Sequence, residues 1–226
     1  MRMPSRPGRS KTAQLLGAAG IRPDNVVVSY DDSGNLFAAR MRWVLNYLGH
    51  ENAVVLDGGL SAWTKLGKAV TDEPFTLPPT TYAAEPDPNR LATWQYVLDR
   101  LADPRLQILD VRPQAAYGGA HPGTFRRAGH IPGALNVDWT TNVLAESPRT
   151  FKSLAELQAS YDAIGLDRNK EIIVYCVSGV ASANTLFVLD MLGYPNVRLY
   201  SGSWAEWGNR DDLPFVTGTE PGTFTN

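Results

Sequence analysis

Residues 26–34 read VVVSYDDSG and residues 171–179 read EIIVYCVSG, each an apolar run that ends in tyrosine and opens into a loop closing on Ser-Gly. A repeat of this kind constrains a fold strongly, because both copies must form the same supersecondary unit. The downstream landmarks keep step. Leu48-Gly49 follows Asp31 about as far along as Leu192-Gly193 follows Cys176, and Trp63 matches Trp207 within one residue. Each copy reads as strand, loop, helix with a Leu-Gly stop, a short strand (53–56 and 197–200), and a Gly-led turn into a Trp-bearing helix. One βαβα half is written twice, and strands alternating with helices at this pace predict an α/β fold with a mostly parallel sheet covered by helices.

The copies do not have equal surroundings. Between them, Pro74, Pro78, Pro79, Pro86 and Pro88 punctuate a stretch of little periodicity, which reads as a linker over 71–91. After it, 93–101 reads as a helix, and 107–111 and 134–137 as short strands. Ser153 and Glu156 form a capping-box pair ahead of Leu154, Leu157, Tyr161 and Ile164, which share one helical face up to the stop at Gly165. Residues 92–217 therefore form a complete domain. Residues 11–70 have one helix near 11–18, then strand, helix (Leu36, Met41, Val44 and Leu48 on one face), strand and helix. They have no counterpart of the ILDVR strand or the GHIPGALNV segment. A half-domain with an open sheet edge and an uncovered apolar face is expected to associate, either with the second domain or with another copy as a homodimer.

Composition removes several classes of function. Of 226 residues, 43% are hydrophobic and 19% charged, as in ordinary globular chains. The net charge is −2, and removing Arg2, Arg6, Arg9 and Lys11 of the N-terminal tail leaves −6, so no basic face exists for a nucleic acid. No apolar run is long enough to span a bilayer, and no membrane partner is expected. The tail lacks the apolar segment of a secretory signal and reads as a loose tail. One cysteine excludes an intrachain disulfide framework. With only His50, His121 and His130 beside it, a Cys/His metal site lacks ligands, and a reducing cytoplasm is the expected compartment.

That cysteine, Cys176, closes a strand and opens the loop 177–181 into a helix. Successive loop amides and a helix N-terminus favour an anion and hence a thiolate, and Gly179 permits the curl. A lone cysteine is also commonly buried and inert. Ligand sites of parallel sheets cluster at the strands' carboxyl ends, where this residue lies. Position alone leaves both readings open.

Four motifs, LDVR (109–112), GHIPGALNVD (129–138), YCVSGVAS (175–182) and LYSGSWAEWG (199–208), resemble in order and spacing those of rhodanese-type sulfurtransferases. The resemblance covers 92–217. Residues 11–68, with LDGGLSAW at 56–63, resemble the second half of the inactive first domain of tandem members, with Asp31 where the cysteine would be. It implies a rhodanese-like α/β fold with one complete catalytic domain and a truncated, inactive repeat. It also implies that Cys176 takes a sulfane sulfur from thiosulfate or 3-mercaptopyruvate as a persulfide and passes it to cyanide or a thiol. Val177, Ser178, Gly179, Val180, Ala181 and Ser182 would cradle donor and persulfide, Arg112 would contact the donor, and no metal or organic cofactor is implied. Small Val177 and Ser178, where thiosulfate-preferring members carry bases, resemble the mercaptopyruvate type. Ala116 stands where members often place a second donor-binding arginine, with Arg126 or Arg127 as substitutes.

Other readings of the same residues compete. Asp110 and Arg112 also read as a structural ion pair, His130 as a hydrogen-bonded turn residue, His121 as a surface loop residue, and Trp63, Trp204 and Trp207 as packing anchors. Phosphatases sharing the fold need an arginine six residues past the cysteine, and Ser182 stands there. The remaining alternative is a persulfide carrier without turnover, or a rhodanese-like binding module.

Overall fold

A computed structural model describes residues 11–224. The reading of the N-terminal tail therefore lies, apart from Lys11, outside the described residues. The helices are α1 (Lys11–Ala18), α2 (Leu36–Tyr47), α3 (Gly59–Lys65), α4 (Trp94–Leu98), α5 (Gln114–Gly118), α6 (Leu154–Ala163), α7 (Val180–Met191) and α8 (Ser203–Trp207). The strands are β1 (Val27–Ser29), β2 (Ala53–Val55), β3 (Leu91–Ala92), β4 (Leu106–Asp110), β5 (Ala134–Asn136), β6 (Glu171–Tyr175) and β7 (Val197–Tyr200).

Residues from Leu91 onward form a five-stranded, wholly parallel sheet in the order β3-β7-β6-β4-β5, flanked by helices. Strand alternation divides its core. Ile173 and Tyr175 face a layer with Tyr117, Trp204 and Trp207, while Ile172, Val174 and Cys176 face Leu157, Tyr161, Val188 and Leu189. The capping box forms as expected at α6: Ser153 Oγ accepts from the Glu156 amide at 3.3 Å, and Glu156 accepts from the Ser153 amide at 3.0 Å. From β4 the chain moves outward to β5, then returns to β6 on the other side of β4 and continues outward to β7. The carboxyl ends of β4 and β6 thus flank a topological switch point, the place where open α/β sheets leave a crevice.

The first unit holds the two-stranded parallel sheet β1-β2. The face expected to carry Leu36, Met41, Val44 and Leu48 of α2 is shared between two neighbours. Leu45 and Leu48 pack with Ala13, Leu16 and Ala53, while Trp43 packs with Ala183, Leu186 and Leu199 of the second unit. An ion pair from Arg42 to Asp190 at 2.8 Å joins the same two helices.

Two expectations change at this point. The second half of the Pro-rich segment is a packed strap: the amides of Thr80, Glu85 and Asp87 donate to the carbonyls of Gly17, Leu48 and Tyr47 at 2.8–3.0 Å, and Tyr82 and Ala84 are buried in the first unit's core. Trp63 is not an anchor like its counterpart. Trp207 is fully buried, whereas Trp63 is 38% exposed. Among the described residues, the layer around Tyr200 and Leu213 that packs with Trp207 has no equivalent over β1-β2. There Val28, Tyr30, Leu56, Leu60, Trp63 and Val70 line an open apolar groove of about 330 Å³. No helix among the described residues is long and apolar enough to cross a membrane.

Candidate active site

Cys176 follows β6 directly and is 3% exposed. Its backbone is fixed on both sides: its amide donates to Ser203 Oγ at 3.2 Å, and its carbonyl accepts from the Trp204 amide at 3.0 Å. Ser203 holds a left-handed φ of 53° and donates its hydroxyl to the Tyr200 carbonyl at 2.9 Å. The thiol sulfur accepts from the Gly179 amide at 3.2 Å and from the Ser182 hydroxyl at 3.5 Å. Gly179 has φ 83°, a conformation that favours glycine, and a Cβ there would crowd the Ser201 carbonyl oxygen at 3.0 Å. Val177 and Ser178 are exposed at the rim, and Ser182 is buried beneath the sulfur.

The first copy shows what such a loop holds. Asp31, at the Cys176 position, accepts from the amides of Ser33, Phe37 and Ala38 at 2.6, 2.9 and 2.7 Å. The second copy's loop is one residue shorter, and the matching positions there are Ser178, Ala181 and Ser182. The loop of the first copy gathers amides around a carboxylate, and in the second copy the Gly179 amide and the Ser182 hydroxyl meet sulfur.

A cleft of about 170 Å³ opens beside Cys176, lined by Val177, Ser178, Val180 and Ala181 of the loop, Val111, Arg112 and Pro113 after β4, and Trp139. Leu36 of the first unit completes it. Of the residues expected at the site, the six loop residues and Arg112 do come together. Arg112 reaches the wall with its charge already matched: Nη2 donates to Asp110 at 2.6 Å and to the Gly129 carbonyl at 2.7 Å, and the guanidinium stacks 4.6 Å from the Trp204 ring. Burial pulls the Arg112 guanidinium down, but the charge and hydrogen bonds of Asp110 together with Tyr175 outweigh it, and the net direction is up.

Neither proposed substitute for the missing base lines the cleft. Arg126 pairs with Asp211 at 2.9 Å, and Arg127 is tied to the carbonyls of Trp207, Arg210 and Leu213. His130 is the turn residue expected, bonded to the Tyr117 carbonyl at 2.9 Å and stacked on its ring.

Sequence reasoning missed Leu36, Trp139, Ser203 and Arg40. Arg40 of α2 donates from Nη1 to the Gly179 carbonyl and from Nη2 to Ser201 Oγ, both at 3.1 Å. The alignment of the repeats carried a signal for Ser203, which stands where Gly59 has φ 60°. Arg40 and Leu36 left none, because the residues they meet belong to the other unit, far away in the sequence.

Fold and site together define an α/β protein built around one loop thiol at the carboxyl edge of a parallel sheet. The sequence signature of the Rhodanese-like domain matches residues 1–66 and 93–210, and the chain belongs to the rhodanese-like family of sulfurtransferases. It is 37% identical over 211 residues to a putative thiosulfate sulfurtransferase of Haloferax volcanii, covering 90% of this chain and 73% of that one. It is 37% identical over 214 residues to a probable 3-mercaptopyruvate sulfurtransferase of Pseudomonas aeruginosa, covering 94% and 75%. It is 36% identical over 220 residues to the sulfur carrier protein TtuD of Thermus thermophilus, covering 92% and 76%. Among solved structures, an EanB variant in complex with ergothioneine superposes with a TM-score of 0.83 at 25% identity, over 92% of this chain and 54% of that one. The chain thus spans about half the length of EanB.

Proposed function

We propose that the protein moves a sulfane sulfur from thiosulfate or 3-mercaptopyruvate to cyanide or a thiol through a persulfide on Cys176. The observation that carries this reading is the thiol sulfur within 3.2 Å of the Gly179 amide, in a loop that holds a carboxylate in the other copy. The Cys176 thiolate attacks the donor's outer sulfur. A new S–S bond forms while the donor's own bond to that sulfur breaks, and its electron pair leaves with sulfite or with the enolate of pyruvate, which a solvent proton converts to pyruvate. The persulfide anion then sits among the amides of 177–182 until cyanide or a thiolate attacks its terminal sulfur and expels the Cys176 thiolate.

Uncharged Val177 and Ser178 at the rim favour the mercaptopyruvate donor. Arg112 is the cation at the cleft wall, with its charge shared by Asp110. The unrelieved apolar groove over β1-β2 supports self-association through the first unit, and gel filtration distinguishes a dimer from a monomer.

Steady-state thiocyanate formation from cyanide, with each donor in turn, tests the reading. Turnover that disappears in Cys176→Ser supports it. A folded protein that turns over neither donor contradicts it. One observation favours a second reading, a sulfur carrier without turnover: no second base replaces Ala116 in the cleft lining, and Arg126 and Arg127 are bound elsewhere. Stoichiometric loading without multiple turnover is its signature.

A further inference from the structure

We infer that Arg40, on the first unit, is a positioning residue of the Cys176 site, fixing the thiol loop from across the interface. The inference deepens the persulfide reading above and rests on it for its meaning.

Three observations converge on Arg40. Its fork bridges two segments that meet at the thiol, the Cys176 loop through the Gly179 carbonyl and the β7–α8 turn through Ser201 Oγ. Gly179 is held at both ends: Arg40 takes its carbonyl on the outside while its amide points inward to the sulfur. The two bonds lie in the successive peptides on either side of the Gly179 Cα, so holding the carbonyl restricts the residue whose amide meets sulfur. The planar fork is also preorganised by the Trp43 ring, 4.5 Å from Arg40 Cζ.

Charge supports the geometry. The charged groups around the site are Arg40 from α2, Asp110 at the end of β4 with Arg112 just after it, and, beyond the Ser201–Gly202 turn, Glu206 from α8. Asp110 and Arg112 neutralise each other, and Glu206 accepts from the Tyr200 hydroxyl at 2.8 Å. Among the described residues Arg40 has no ion-pair partner, and its hydrogen bonds all go to neutral oxygens. Burial lowers the Arg40 guanidinium from its ordinary value, and the Cys176 charge opposes that shift. The half-buried cation therefore has the loop anion as its counter-charge.

The test uses the rate at which Cys176 is alkylated by iodoacetamide at neutral pH, a readout that needs no sulfur donor. Arg40→Gln and Arg40→Ala should slow it by roughly tenfold or more, since small misplacements at reacting groups cost up to about 100-fold. Guanidinium well below denaturing concentration should restore Arg40→Ala, and Arg40→Lys, which keeps the charge but loses the fork, should fall between. Arg42→Gln removes the neighbouring Asp190 ion pair and serves as the control for a loosened interface; its rate should match the parent. Unchanged alkylation in Arg40→Gln, equal slowing in Arg42→Gln, or no rescue by guanidinium would overturn the inference. Should Arg40→Gln fail to fold, Arg40→Lys with its unaltered melting behaviour decides the matter by the same rate. A parent protein that forms no persulfide refutes the proposed function, while these rates still decide the role of Arg40.

Discussion

Asp31 and Cys176 occupy the same station in two copies of one loop, and the Asp31 carboxylate collects three amides at 2.6–2.9 Å where Cys176 presents sulfur. In the first unit the nest is satisfied by its own side chain and closed to a ligand. Removing that carboxylate leaves the N-terminus of α2 uncapped. Asp31→Ala should destabilise the protein by about 1–3 kcal/mol, read from urea denaturation; a change within experimental error would show that solvent serves those amides equally well.

The interface should matter as much as either unit. Trp43 is 5% exposed, packs with Ala183, Leu186 and Leu199, and donates to the Arg90 carbonyl at 3.3 Å. Trp43→Ala should cost about 3–5 kcal/mol and lower sulfur transfer as well, because α2 carries Leu36 and Arg40 to the site. Calorimetry and the thiocyanate assay on the same preparation check both halves; full activity in a destabilised variant would separate the first unit from catalysis.

Acid sensitivity should centre on Glu171, at the start of β6. Burial pushes its carboxyl up, but the Tyr96 hydroxyl at 2.7 Å, Arg100 and Arg198 outweigh this and hold it below the usual carboxylate range. A depressed folded-state value means stability present above the ordinary carboxylate range and lost as pH falls through the folded value. Glu171→Gln should therefore destabilise by about 1–2 kcal/mol at neutral pH, a figure reduced for partial solvent screening, and the gap should close in acid. Parallel melting curves from neutral to acidic pH would count against this.

Donor choice should respond to charge at the rim. Val177 is 43% exposed beside the cleft. Val177→Arg should lower KM for thiosulfate by about tenfold, one charge-assisted hydrogen bond being worth roughly 1.5 kcal/mol, and should help mercaptopyruvate less. Equal effects on both donors would place the selectivity elsewhere.

Much of this molecule is legible in its sequence because local rules and tertiary needs agree there. The apolar run Ile172 to Tyr175, the Ser153–Glu156 cap and the glycine at 179 each report a constraint met within a few residues. Periodicity reports that a helical face is buried but not by what, so the split of α2 between two cores, with Trp43 turned toward α7, was invisible. The same limit hid Arg40, whose partners belong to another unit. Proline content suggested a free linker at 80–87, yet Tyr82 and Ala84 bury against the first unit because its small core accepts them. Trp63 misled for the converse reason: its repeat position promised burial, but a packing anchor needs a covering layer, and the described residues supply none.

The central claim is a persulfide on Cys176, and intact-mass spectrometry after exposure to a stoichiometric sulfur donor tests it most directly. The account predicts a mass gain of one sulfur, located at Cys176, absent in Cys176→Ser, and discharged by cyanide with release of thiocyanate. A donor that leaves Cys176 unmodified in the folded protein, or a sulfur that cyanide does not remove, would contradict it.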